Sequence, residues 1–202
     1  LYVTAVSGTA PDDVWVANNA RLLHFAPPTP VWTGGGGNTN WSNPANWSGG
    51  VVPGAGDAVA LDNAAATTIT LDTNVSLAGL TVSGSGVALS QGGYNLTVNG
   101  NFSQSGGTFT GGSGALDVNG NVSLSGGTLT APSGAFTVSG DWTKTGGTFT
   151  PGSGTVTFDG SSTQTITGSN TYYNLTINNS HATQKVDASG STSLAVANLL
   201  RV

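Results

Sequence analysis

Gly100-Asn101-Phe102-Ser103-Gln104-Ser105-Gly106-Gly107-Thr108-Phe109-Thr110-Gly111-Gly112-Ser113-Gly114-Ala115-Leu116-Asp117-Val118-Asn119 is the first of three consecutive 20-residue copies. The second, GNVSLSGGTLTAPSGAFTVS, runs from Gly120 to Ser139, and the third, GDWTKTGGTFTPGSGTVTFD, from Gly140 to Asp159. A fixed period of this length marks a stacked array whose single unit cannot bury its own apolar face. Each copy is punctuated three times, in the first copy at Gly106-Gly107, Ser113-Gly114 and Asn119-Gly120. Runs of about five residues lie between these corners, and Gly there permits tight turns. Twenty residues with three corners make one turn of a three-sided coil.

Side chains alternate across a strand. This places Phe102, Phe109, Leu116 and Val118 inward in the first copy, and Val122, Leu129, Phe136 and Val138 in the second. Trp142, Phe149, Val156 and Phe158 follow in the third. Coils stacked about 4.8 Å apart turn these equivalents into apolar ladders. Lys144, equivalent to Gln104 and Leu124, is expected near a corner with its amine in solvent. Looser copies on both sides extend the stack to about six coils between residues 57 and 180, a rod of roughly 30 Å. A rival geometry stays open, because Asn119-Gly120 is also a strong hairpin signal and a meander of hairpins would repeat too.

Composition agrees with an all-β chain. Charged residues are 6% of 202, far below the usual quarter of a globular domain, and apolar residues are 37%. The apolar residues alternate regularly, which favours packed strands over disorder. The formal charge is −5, all nine acids are Asp, and the bases Arg21, Lys144, Lys185 and Arg201 do not cluster. No nucleic-acid partner is expected of such a chain. No apolar run reaches 18 residues, so membrane insertion is not expected either. Cysteine is absent, which is compatible with export. Methionine is absent too, so Leu1 is read as the start of a processed product or of a piece of a longer chain.

The expected organisation has three parts. Residues 1–30 form a β-hairpin extension, 31–56 a Trp/Gly-rich cap, and 57–202 the parallel β-solenoid with a terminal strand. Trp32, Trp41 and Trp47 are expected to cover the first coil; the competing reading is a sugar-stacking surface. Neither metal nor cofactor is expected, because His24 and His181 are far apart and no dense Asp loop occurs. Catalytic residues are not expected: Asp117, Asp141 and Asp159 take different places in the coil, whereas glycoside hydrolysis needs facing carboxylates. Asn40, Asn46, Asn74, Asn95, Asn101 and Asn121, with Asn174 and Asn178, open N-x-S/T sequons. Asn101 and Asn121 are read instead as turning the backbone or forming an amide ladder.

Two stretches carry a resemblance. The segment from Trp32-Thr33-Gly34-Gly35-Gly36-Gly37 through Asn40-Trp41-Ser42-Asn43-Pro44-Ala45-Asn46-Trp47-Ser48 to Val52-Pro53-Gly54-Ala55-Gly56-Asp57 resembles the opening of bacterial surface β-solenoids of the autotransporter and large-adhesin type. Gly154-Thr155-Val156-Thr157-Phe158-Asp159-Gly160, Gln164-Thr165-Ile166 and Tyr173-Asn174-Leu175-Thr176-Ile177-Asn178 are similar to their strands. The resemblance covers about 150 residues. It implies an extracellular or cell-surface bacterial protein with a structural or adhesive role and no active site. Ser7-Gly8-Thr9-Ala10-Pro11-Asp12-Asp13-Val14-Trp15-Val16 with Leu22-Leu23-His24-Phe25 resembles a single propeller-type repeat of secreted bacterial proteins. A single blade cannot close a propeller.

The expected function is therefore a structural subunit of a surface fibre or adhesin stalk that self-associates head to tail into a homopolymer. Strand-like ends supply the contacts: Leu1, Tyr2, Val3 and Val6 at one, Leu194, Val196, Leu199 and Leu200 at the other. The alternative is a carbohydrate-binding or adhesive module touching glycans through exposed aromatics such as Tyr94, Tyr172 and Tyr173.

Overall fold

The computed structural model describes residues 29–63, 65–183 and 186–202, together with the backbone of three strands among the first 28 residues. Those strands, Ala5–Ser7, Val14–Asn18 and Arg21–Phe25, form an antiparallel sheet in that order. Val14–Asn18 pairs antiparallel with both Ala5–Ser7 and Arg21–Phe25.

From Ala58 onward the chain is a parallel β-solenoid of about seven turns. The first sheet has seven strands, from Ala58–Leu61 to Val186–Asp187. The second has five, Thr67–Thr70, Val87–Ser90, Thr108–Thr110, Thr128–Thr130 and Thr148–Thr150. The third has seven, from Val75–Leu77 to Ser193–Arg201. Within the exact copies the register advances by one period per coil, so Phe102 pairs with Val122 and Val122 with Trp142. Such parallel pairing excludes the hairpin meander. Asn119-Gly120 is a corner between the third sheet and the first, with Gly120 N–H donating to the Gly100 carbonyl.

The corners dictate where Gly must stand. Gly107, Gly127 and Gly147 all have positive φ, at 56°, 70° and 62°. A Cβ on Gly127 would also lie 2.3 Å from the Gly106 carbonyl oxygen of the coil below. Both the turn and the close stacking therefore forbid a side chain there.

Phe102, Phe109, Leu116, Val118, Val122, Leu129, Phe136, Val138, Trp142, Val156 and Phe158 are buried in one continuous core. Phe149 is only half-buried, because its strand is the last of the second sheet. The column that leads to Lys144 faces inward in the earlier coils. Val82, Gln104 and Leu124 pair in register and are buried, and Lys144 beyond them is half-buried. Gln104 belongs inside because its amide donates to the carbonyls of Gly107 and Thr128, at 3.3 and 2.9 Å. These corner carbonyls turn toward the core and need a donor there. Gln91 serves Tyr94 and Ala115 in the same way, and Gln164 serves Val138 and Gly140.

The three-sided plan ends after Phe158. Gly168, at φ 88°, turns the chain directly into the nine-residue strand Ser169–Ile177, which contains no Gly. Without a corner inside that run, the last two coils have long third-sheet strands and add nothing to the second sheet. Tyr172 fills the wedge this opens, packing 5.7 Å from Trp142 and 5.6 Å from Phe149 between ring centroids.

Candidate association surface at the open end of the solenoid

The two ends of the stack differ. At the first, Trp32, Trp41 and Trp47 are all buried and belong to the core. Trp47 meets Trp32 and Trp41 edge to face, with centroids 5.1 and 4.6 Å apart. Its indole N–H donates to the Trp41 carbonyl at 2.7 Å. Asn46 is the polar hub of this cover. Its amide donates to the Asn38 and Asn40 carbonyls, and its oxygen accepts from the Gly36 N–H. The strand edge is closed as well: Trp41 N–H donates to the Thr70 carbonyl, and Thr70 N–H to that of Thr39. A buried hub at a sequon leaves the Asn46 side chain no room for a glycan.

At the other end, the terminal strand Ser193–Arg201 pairs in parallel with Ser169–Ile177, with a shift in register between Tyr172 and Asn174. It is the outermost strand of its sheet. Leu194, Leu199, Leu200 and Val202 are exposed, and Val196 is half-buried. An apolar trough of about 500 Å³ opens here, lined by Ile166, Leu175, Ile177, Val186, Leu194 and Leu200. Leu1, Tyr2 and Val3 lie outside the described residues. Val6 lies in the edge strand of the N-terminal antiparallel sheet.

Other expected contact residues separate. Tyr94 and Tyr173 are exposed, whereas Tyr172 is fully buried among aromatic rings and offers no outer surface. Burial also pushes the Tyr172 phenol well above its ordinary pKa. Among the described residues no group of three or more His, Cys, Asp or Glu could hold a metal ion. Side-chain amides and carboxylates along the stack serve the backbone and neighbouring coils. Asn101, Asn121 and Asp141 each accept, through a side-chain oxygen, a backbone N–H of the next coil. The expected amide ladder is thus a ladder from side chain to main chain. Thr137 donates to Asp117 and Ser139 to Asp159, again one coil apart. A second trough, of about 770 Å³, lies over small residues of the first sheet such as Ala58, Ala60 and Gly79. Asp62 is its one carboxylate. Among the described residues no helix is long and apolar enough to cross a membrane.

Compared with protein-family models, with curated proteins and with solved structures, the chain matched none.

Proposed function

We propose that this chain is a structural segment of an extracellular surface fibre or adhesin stalk, and that copies associate head to tail through their ends. One observation carries the reading: the first end of the stack is covered by a hydrogen-bonded tryptophan cluster, while the last presents, among the described residues, a strand with one open edge and exposed leucines. A strand edge beside an apolar trough is a template for another strand. The N-terminal edge strand of a second copy, Ala5–Ser7, is the donor. A heterologous contact of this kind does not close and therefore grows into a filament. The motifs shared with bacterial surface solenoids support the location outside the cell. The coil itself supports the mechanical role, since its backbone hydrogen bonds run along the rod from one coil to the next.

Negative-stain electron microscopy of the purified chain tests this directly. Filaments with a regular axial repeat are expected, lost on deleting residues 1–6 or on Leu199→Lys with Leu200→Lys, while circular dichroism stays that of the folded solenoid. Isolated short rods at all concentrations overturn the self-association. Buried Tyr172 removes one of the three aromatics on which a glycan-binding reading relied, and no other observation favours that reading.

A further inference from the structure

The second sheet carries an outer face unlike the other two. Each of its strands shows two outward side chains, and the strands pair without any shift in register. Thr108, Thr128 and Thr148 stand in one column, and Thr110, Thr130 and Thr150 in the other. The columns continue through Ala88 and Ser90 to Thr68 and Thr70. Eight of ten positions are therefore Thr, and none is charged.

Among the described residues, all but one of the hydroxyls of this face have no protein partner. On the third sheet, Thr137 and Ser139 spend theirs on Asp117 and Asp159. At the corner before the first sheet, side-chain oxygens of Asn101, Asn121 and Asp141 are taken by backbone N–H groups of the next coil. Among the described residues, the Thr70 hydroxyl bonds to that of Thr39 at 3.1 Å, and no other hydroxyl of these ten positions has a protein partner; Thr67, outside the two columns, donates to the Ala65 carbonyl. Thr is β-branched and stiff at χ1, so the array is ordered before anything binds. Its repeat is about 4.8 Å along the rod and about 6.7 Å along each strand. These two spacings are close to the oxygen repeats across a prism face of ice.

We propose that the second sheet is an ice-binding face. Its ligand is the ordered water lattice of a crystal surface. The hydroxyls take lattice positions, and the methyl groups between them hold the intervening water in place. Each contact is weak, but a rigid array makes many at once with little ordering cost. Absence of charge fits a neutral lattice, since a charged side chain would keep its own hydration shell. A flat crystalline polysaccharide fits less well, because sugar rings stack on aromatic faces and this face has none. The proposal concerns the side of the rod and does not depend on how the ends associate.

The test is partition into a slowly grown ice front, read together with thermal hysteresis. Purified wild-type chain is expected to enter the ice and to hold crystals below their melting point. Thr128→Tyr, at the centre of the array, is expected to abolish both. Thr97→Tyr on the outer face of the third sheet is expected to change neither. Circular dichroism and melting report folding, and Thr110→Tyr serves as a second disruption should Thr128→Tyr misfold. Exclusion of wild-type chain from ice, equal partition of folded Thr128→Tyr, or retention on microcrystalline cellulose with none on ice would each overturn the proposal.

Discussion

The first end of this solenoid is finished and the last is not. Trp41 has 1% of its surface exposed, whereas Leu200, on the terminal strand, has 56%. Each stands at an end of the same core, where a column of apolar residues would otherwise face water. The covered end spends about 25 residues on closure, using three indoles and an asparagine hub rather than another coil. A stack of identical coils has no intrinsic stop, so an end must be built from different sequence or left to a partner. On the proposed reading, the difference gives stability to one end and association to the other.

Substitution separates the two roles most sharply at these same residues. Trp41→Ala is expected to cost about 3–5 kcal/mol, the range for removing a large buried aromatic. Leu200→Ala is expected to change the stability of the isolated chain by less than about 0.5 kcal/mol, as for an exposed position, while weakening self-association. Denaturant melts at a concentration below that of association check both. Equal losses at the two sites would mean that the open end is packed as firmly as the capped one.

Asn46→Ala comes next. It leaves the Gly36 N–H and the Asn38 and Asn40 carbonyls without their shared partner. A loss of about 1–3 kcal/mol is expected from the unmet groups. Asn46→Asp keeps the acceptor and removes the donors, so it should recover only part of that loss. Full recovery would show that the hub works through the Gly36 contact alone.

The repeat made the regular coils legible, because period, corners and alternation point to one geometry. Phe102, Phe109 and Leu116 and their equivalents follow from alternation alone. Gln104 does not, since a polar residue beside a Gly corner reads as solvent-facing. Its place in the core comes from carbonyls that turn inward, which composition does not show; the buried Leu124 one period later was the available signal. The missing corner in residues 169–177 was visible as a run without Gly, but its consequence was not. Only packing shows that Tyr172 then drops into the core. The Trp cluster was legible as a cover, whereas Asn46 looked like one sequon among eight.

Tyr172 belongs to the unfinished end and gives a smaller effect of opposite sign. Its hydroxyl is buried with no hydrogen-bond partner among the described residues. Tyr172→Phe removes that unmet group and keeps the ring contacts, so it is expected to stabilise the chain by about 1 kcal/mol. The wild type should also lose stability in alkali. Burial raises the folded-state pKa, so protonated Tyr172 favours the fold, and this contribution declines once pH passes the ordinary tyrosine value of about 10. Melts from pH 8 to 11, with Tyr172→Phe as reference, measure it. A constant difference across that range would mean that the phenol is not desolvated.

The smallest expected effect lies back at the covered end, where Asp72 fastens the cap to the first coil. Its carboxylate accepts from the Ser42 backbone N–H at 2.9 Å and from the Ser42 hydroxyl at 2.6 Å. Slight burial opposes ionisation, but these hydrogen bonds outweigh it and hold the Asp72 pKa below its ordinary value. The sign of the pH dependence follows. A carboxyl whose pKa is lowered by folding contributes stability above its unfolded pKa of about 4, and loses it as pH falls through the folded value. Asp72→Asn should therefore be slightly less stable than wild type at neutral pH, and the gap should shrink below pH 4. The difference between the two melting curves is the quantity to follow, because other carboxylates titrate equally in both chains. Solvent reaches this pair, so the gap should also narrow in high salt. A gap that stays constant from pH 7 to 3 would locate the fastening of the cap in its backbone bonds to Thr70 and not in this carboxylate.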